Sequence, residues 1–124
     1  DGKWPPLGAG ERGATGLELL LSLALKWGQD QELSLAQTLA RVTSDPVRVL
    51  GDALGSLASS AGRLVEGGVA DVCVFDPDET WPVTPDVLHS QGKHTPFAFA
   101  DTGMALPGRV RATLVAGTIA HELR

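Results

Sequence analysis

The chain of 124 residues has little of several residue types that build common kinds of site. Cys73 is its only cysteine, which excludes an intrachain disulfide and a structural zinc site made of several thiolates. The sequence contains no asparagine, so it has no N-glycosylation acceptor. Basic side chains number 10 against 15 acidic ones, and the net charge of −5 argues against binding nucleic acid through phosphate neutralisation.

Long hydrophobic runs are also missing. The longest apolar stretch, Leu17 to Trp27, is interrupted by polar residues and falls short of the ~20 residues that span a bilayer. No secretory signal pattern opens the chain. Because the first residue is Asp1 and the only methionine is Met104, we expect a piece of a longer protein. Since neither a membrane-spanning stretch nor a signal pattern is present, we expect it to be cytoplasmic and without a membrane partner.

What is present predicts a folded domain, since 43% of the residues are hydrophobic and 20% are charged. Helical spacing predicts a helix from Leu17 to Trp27 that is apolar on most sides, with Gly28 at its C-terminal cap. Ser34 and Gln37 form a capping-box pattern at the start of a second helix. Its expected buried stripe consists of Leu35, Leu39 and Val42.

A third, short helix is predicted by Pro46 in its first turn and by Gly51 after its last residue. The second half of the chain predicts strands. Residues 69–75 form an apolar run, expected as a strand buried on both faces that ends at Asp76-Pro77. Alternation from Arg109 to Leu114 predicts a half-buried strand, followed by a two-residue turn at Ala116-Gly117 and a returning strand.

Gly8, Gly10 and Gly13 match the dinucleotide-binding pattern G-x-G-x-x-G. That fingerprint requires a buried strand just before the first glycine, and a proline-containing loop stands there instead. A glycine-rich loop leading into a helix is the favoured interpretation. Loops of this kind often form the rims of barrel active sites, in which case the backbone N–H groups of Arg12, Gly13 and Ala14 face a polar substrate.

The other chemically active side chains form no recognisable catalytic or metal pattern. His89, His94 and His121 lack metal-ligand spacing, so hydrogen bonding in loops or at the surface is favoured. The acidic cluster at residues 76–79 lacks the glycine and alternation of a calcium loop and is interpreted as a solvated turn. Cys73 is expected inside an apolar strand, where burial makes a thiol inert.

Three segments together resemble the C-terminal part of a dihydroorotase. Residues 13–27, which begin GATGLE, resemble the stretch after the last barrel strand of that family. The run GRLVEGGVADVCVFDP at 62–77 resembles the small β-sandwich of the amidohydrolase superfamily. The run SQGKHTPF at 90–97, followed by Gly108 to Val110, resembles the ending typical of dihydroorotases, with His94 where asparagine is usual.

The resemblance implies an α/β fold in which residues 1–51 are the C-terminal loop and helices of a (β/α)8 barrel and residues 52–124 are strands of the β-sandwich. It implies a parent enzyme that interconverts dihydroorotate and carbamoyl aspartate in pyrimidine biosynthesis at a two-zinc site. None of the family's metal-ligand or catalytic motifs lies in this chain, so we expect it to be inactive alone and to bind no zinc. The only site residues that carry over are Arg12 and Gly13, whose backbone is expected to touch substrate.

Other interpretations stay open. Some dihydroorotase-like proteins are catalytically dead structural partners of aspartate carbamoyltransferase. A related cyclic-amide hydrolase such as an allantoinase or hydantoinase, or a free-standing binding module, is also compatible with the residues. Because exposing several leucines of the 17–27 helix costs about 1.5–3 kcal/mol each, we expect the remainder of the barrel or a second copy of the chain as a partner.

Overall fold

The computed structural model of the chain describes residues 14–98 and 104–124. Within these ranges the helices precede the strands, as predicted, and the strands form one antiparallel three-stranded sheet. The mixed helix and strand content confirms the expected α/β class, while the division at residue 51 stays a prediction. In the described parts of the chain, no helix combines the length and the apolar character needed to cross a bilayer.

The first helix begins as a 3-10 turn, Leu17–Leu19, and continues as helix α1, Leu20–Asp30. Gly28 lies inside this helix, so its predicted role as the C-terminal cap is wrong. Glu32 takes the left-handed conformation instead, with φ 55°, and the bonds Glu32 N–H to Gln29 O and Leu33 N–H to Gly28 O close a Schellman motif. Gly28 has a packing role, because an added Cβ would lie 2.1 Å from Thr38 Oγ1.

Helix α2, Leu35–Ala40, begins at Ser34, and its predicted capping box with Gln37 is present. The predicted buried stripe is only partly correct. Leu35 is exposed, and Leu39 and Val42 are half-buried. Thr38 is the residue of this helix that is buried, because its side chain packs against the bare backbone at Gly28 and its hydroxyl donates to Ser34 O.

Helix α3, Ser44–Leu50, ends at Gly51, where φ is 50°, as predicted from the glycine. A kinked 3-10 segment, Gly51–Ser59, follows it. Neither element contains a buried residue.

The sheet consists of β1 (Val72–Val83), β2 (Met104–Val115) and β3 (Thr118–Glu122), in that order. The prediction that the first strand ends at Asp76-Pro77 is wrong. The strand continues to Val83, and the residues between Asp76 and Thr80 form an irregularity opposite Pro107 to Arg109. The prediction of burial on both faces is also wrong. Cys73 and Val74 point to opposite faces of β1, and both are exposed.

The turn between β2 and β3 is predicted correctly. Ala116 and Gly117 both have positive φ, 48° and 79°, which is the type I′ geometry of a two-residue hairpin. The turn is tied to the residues just before β1: Ala116 N–H donates to Asp71 Oδ1 at 2.8 Å and Gly117 N–H to Ala70 O at 3.0 Å. Ala70 and Asp71 therefore fix the register between the start of β1 and the hairpin.

The hydrophobic core lies where the first helix meets one end of the sheet. Its buried members are Leu19, Val83, Leu88 and Leu106. They come from the 3-10 turn, the end of β1, the segment after β1 and the start of β2. This core holds the beginning of the helix, the sheet and the segment after β1 in one unit.

Candidate functional site

The segment that follows β1, residues 88–96, passes beside the start of the first helix, and we call it the connecting segment. Glu18 links the two: its carboxylate accepts the backbone N–H of His89 at 3.1 Å and that of Ser90 at 3.4 Å. Leu88, just before these amides, and Leu19, just after Glu18, are both buried in the core. The link is therefore formed at the edge of the core by residues more than seventy positions apart.

A second link joins the connecting segment to the chain just before the helix. Thr15 N–H donates to His94 O at 2.7 Å. Gly92 lies so close that an added Cβ would be 2.6 Å from Thr15 Oγ1. Lys93 turns its amino group back to the Leu88 carbonyl and so closes the connecting segment on itself. Thr15 is thus held on one side by a backbone hydrogen bond and a close glycine contact.

A cleft of about 360 Å³ opens between helix α1 and the sheet, next to these links. At its base Trp81 Nε1–H donates to Ser22 Oγ at 3.1 Å, and Ser22 Oγ–H donates to Gly108 O at 3.3 Å. Helix and strand approach closely because Gly108 has no side chain, and a Cβ there would lie 2.2 Å from Leu25 Cδ1. The polar groups at the base are satisfied, so the base of the cleft is a hydrogen-bonded contact between helix α1 and the sheet.

His89 and His121 meet at the wall of this cleft. Their ring centroids are 5.3 Å apart and the ring planes cross at 74°, an edge-to-face arrangement. The third histidine, His94, accepts the Thr15 N–H through its backbone carbonyl. Among residues 14–98 and 104–124, no group of three or more His, Cys, Asp or Glu side chains is placed to hold a metal ion. The described donors therefore do not fit a two-zinc centre.

The acidic cluster is not a turn after a strand, as the sequence predicts, but an irregularity within β1. Asp76 Oδ1 accepts the N–H groups of Asp78 and Glu79, at 3.0 and 3.3 Å. Glu79 contacts two arginines of β2, Arg111 closely and Arg109 at 3.6 Å. These pairs are half-exposed, so each contributes little to stability, and the cluster is a local structural feature.

Cys73 is exposed in this chain, so its predicted burial is wrong. The surrounding strand atoms still remove enough water from the sulfur to raise the pKa of the thiol, and a hydrogen bond with Thr113 opposes this shift. A raised pKa leaves less of the nucleophilic thiolate at neutral pH. The expectation of an unreactive thiol thus keeps its electrostatic basis, although steric protection is absent.

Comparison with known proteins identifies relatives for nearly the whole chain, although no family model matches it. A dihydroorotase-like protein of Pseudomonas aeruginosa is 40% identical over 122 residues, which is 98% of this chain. Dihydroorotases of Anaeromyxobacter dehalogenans and Desulforapulum autotrophicum are 36% and 34% identical over 92% and 89% of it. Over nearly its whole length, the chain is similar to part of the dihydroorotases and dihydroorotase-like proteins. The resemblance inferred from the three segments is confirmed.

This dihydroorotase-related chain spans about a quarter of the length of the curated relatives it matches, from 23% to 26% in the three cases above. That proportion fits the expected C-terminal portion. The structure also shows how two of the family-like segments are related in space. GATGLE contributes Thr15 and Glu18, SQGKHTPF contributes Ser90, Gly92 and the His94 carbonyl, and these residues contact one another.

The predicted substrate-binding residues Arg12 and Gly13 lie outside the described residues. Sequence reasoning missed the residues that hold the chain next to them, Glu18, Gly92 and Thr15. Each lies in a quoted family-like segment, which was the available signal. The contact between the segments could not be found from spacing, because about seventy residues separate them and the sheet brings them together.

Proposed function

We propose that the chain is the C-terminal portion of a dihydroorotase, a cyclic-amide hydrolase that interconverts dihydroorotate and carbamoyl aspartate in pyrimidine biosynthesis. The observation that carries the proposal is the identity of 34–36% over about nine-tenths of the chain with proteins named dihydroorotase. In this proposal residues 1–51 end the (β/α)8 barrel, residues 52–124 belong to the small β-sandwich, and the enzyme acts in the cytoplasm.

The chain's role in such an enzyme is to form part of the wall and rim of the site. The described residues do not fit the zinc centre implied by the family, so its ligands are assigned to the upstream portion. What this chain supplies is the backbone that leads to Thr15. The hydrogen bond from Thr15 N–H to His94 O holds Thr15, which follows Gly13 by two residues. The N–H groups of Arg12 and Gly13 are proposed to bind the polar ring of the substrate.

The partner proposed for this chain is the remainder of the barrel. A groove of about 820 Å³ between the helices and the start of β1 is lined by apolar side chains. They include Leu39, Val42, Leu57, Leu64 and Val69. The relatives carry about three quarters of their length outside the matched region, and that portion is large enough to cover the groove. Light scattering after size exclusion tests this: a rigid monomer of the isolated chain would contradict it, and a dimer would favour a second copy as the occupant.

The function is tested by assaying the full-length protein and the isolated chain for hydrolysis of dihydroorotate and cyclisation of carbamoyl aspartate. We expect turnover and bound zinc in the full-length protein, and neither in the isolated chain. Hydantoin and allantoin serve as control substrates, because preference for either would assign the parent to another group of cyclic-amide hydrolases. Stoichiometric zinc and turnover in the isolated chain would contradict the proposed division of labour.

A second candidate is a dihydroorotase-like protein without activity that acts as a structural partner of aspartate carbamoyltransferase. Two observations favour it. The two relatives at 40% identity, from Pseudomonas aeruginosa and Pseudomonas putida, are named dihydroorotase-like proteins, and His94 replaces the usual asparagine. This candidate predicts an inactive full-length protein that co-elutes with aspartate carbamoyltransferase, whereas the first predicts an active one.

A further inference from the structure

We propose that His89 and His121 together bind one divalent cation of the zinc type, with water in the remaining coordination positions. The proposal goes beyond the proposed function and does not depend on it, because metal binding alone tests it. The site lies at the wall of the cleft between helix α1 and the sheet, and both histidines line that cleft.

The two imidazole rings lie at the separation that a shared tetrahedral ion requires. Zinc binds histidine nitrogen at about 2.0–2.1 Å with tetrahedral angles, which places the centroids of two imidazoles on one ion about 5.2 Å apart. The right angles of square-planar or octahedral sites would bring the centroids to about 4.5 Å. The observed separation is 5.3 Å. The distance therefore favours a tetrahedral ion, and rotation of the exposed His89 ring about its Cβ–Cγ bond is the adjustment that aims a nitrogen at it.

Both histidines belong to backbone that is held in place. His89 follows Leu88, which is buried in the core, and its N–H donates to Glu18 at 3.1 Å. His121 lies in β3 opposite Thr113 of β2, and the sheet hydrogen bonds fix this register. Ligands that are positioned before binding lose little conformational freedom when the ion arrives. The pair is therefore organised for binding, although its members come from distant parts of the sequence.

The charges around the cleft do not repel a cation. Among the described residues, the charged side chains that line it are Glu18 and Arg109, which have opposite signs. Glu18 directs its carboxylate to backbone N–H groups, which carry no net charge, and Arg109 has Glu79 at 3.6 Å. The imidazoles therefore decide which ion binds. Imidazole nitrogen suits zinc, copper and nickel, whereas magnesium and calcium prefer oxygen ligands.

The site has two protein ligands, and this limits its affinity. Since no group of three donors is placed to hold a metal ion in residues 14–98 and 104–124, the other positions are assigned to water. We expect the site to fill only when the cation is supplied, so that the isolated chain purified without added metal carries no zinc. When filled, the site ties β3 to the connecting segment.

Titration of the full-length protein with cobalt(II), followed by NMR of the histidine rings, tests whether the two residues share one ion. Loosely bound metal is removed first, and cobalt binds nitrogen ligands more weakly than zinc, so it leaves tightly held zinc in place. Because cobalt(II) is paramagnetic, the His89 and His121 ring signals should shift or broaden together, at the same cobalt concentration. The His94 ring, which does not line the cleft, is the matched control. Rings that respond at different concentrations, no response, or an equal response of His94 would overturn the proposal.

Equilibrium dialysis of variants against cobalt(II) gives an independent measurement. His89→Gln and His121→Gln should each weaken binding of this ion at least about tenfold, since even the loss of a residue that only supports a ligand costs that much. The double variant should lose the same single ion as either single variant, and His94→Gln should bind as the wild type does. A second ion lost in the double variant would show two independent histidines and refute the shared site, as would unchanged binding in all variants. The NMR titration uses the wild-type protein, so it decides the proposal even if a variant fails to fold.

Discussion

The junction between the first helix and the sheet differs sharply from the helical region at residues 35–65. Leu19, Val83 and Leu106 at the junction are fully buried. In the helical region Val49 and Leu64 are 83% and 87% exposed, although they are as apolar as the buried residues of the junction. The junction is therefore stabilised by contacts within this chain. The helical region has apolar side chains without a covering layer among the described residues, as expected if the proposed partner, the remainder of the barrel, covers them.

The test of this comparison with the largest expected effect replaces one leucine in each region. Leu106→Ala should lower the free energy of unfolding by about 2–5 kcal/mol, because it leaves a cavity in a packed core. Leu57→Ala in the isolated chain should change it by less than about 0.5 kcal/mol, since this side chain is 45% exposed. Urea denaturation measures both. Equal losses would contradict the distinction, and a larger loss for Leu57→Ala in the full-length protein would show that the upstream portion covers it.

The next test concerns a close contact that joins the two regions, between Gly28 of α1 and Thr38 of α2. Gly28→Ala should destabilise the chain by about 1–3 kcal/mol, because the added methyl group overlaps the threonine side chain. Gly16→Ala is the control, since nothing lies within 4 Å of a Cβ at that position. Thermal unfolding monitored by circular dichroism compares the two variants. A similar, small loss in both would show that α2 can move away from α1 without cost.

Gly28 and Thr38 also show which features could be predicted from the sequence and which could not. Local signals worked: Ser34 with Gln37 marked the start of α2, Gly51 the end of α3, and Ala116-Gly117 the hairpin. Gly28 was misinterpreted as a cap because a glycine near a helix end serves either as a cap or as a point of close packing. The choice depends on Thr38, in another helix, which a local pattern does not reveal.

The errors in the sheet have a related cause. Asp76-Pro77 is a common strand end, but here the strand absorbs the extra residues in an irregularity and continues to pair with β2. Burial of Cys73 was inferred from apolar neighbours, whereas burial depends on a covering layer that these residues do not provide. For the candidate site, the segments were identified but their contact through Glu18 was not, because the sheet creates it.

A smaller effect is expected from the cap of α2, which belongs to the weakly packed region. Ser34→Ala removes the acceptor for Gln37 N–H, a bond of 3.2 Å, and should cost about 1 kcal/mol. Ser34→Gly should cost only a few tenths of a kcal/mol, because glycine is tolerated at this position. Helix content and urea denaturation measure the difference. If both variants are neutral, α2 is held by tertiary contacts and the contrast between the two regions is weaker than the burial suggests.

The smallest expected effect lies beside the well-packed junction, in the exposed turn before Leu88. A hydrogen bond with the Thr84 side chain, with help from the Asp86 backbone N–H, lowers the pKa of the Asp86 carboxyl. Because the folded pKa lies below the unfolded one, the stabilisation is present above the ordinary pKa of aspartate, about 3.9, and is lost as the pH falls through the folded value. Thr84→Ala should raise the pKa of Asp86 toward its ordinary value, and Thr84→Ser, which keeps the hydroxyl, should not. An NMR titration of the carboxyl carbon reads this shift directly.

An unchanged pKa in Thr84→Ala would mean that the backbone alone holds the carboxylate. A fall in the core's stability in the same variant would show that the turn and the core at Leu88 are coupled, so that the junction extends back into the turn at residues 84–86.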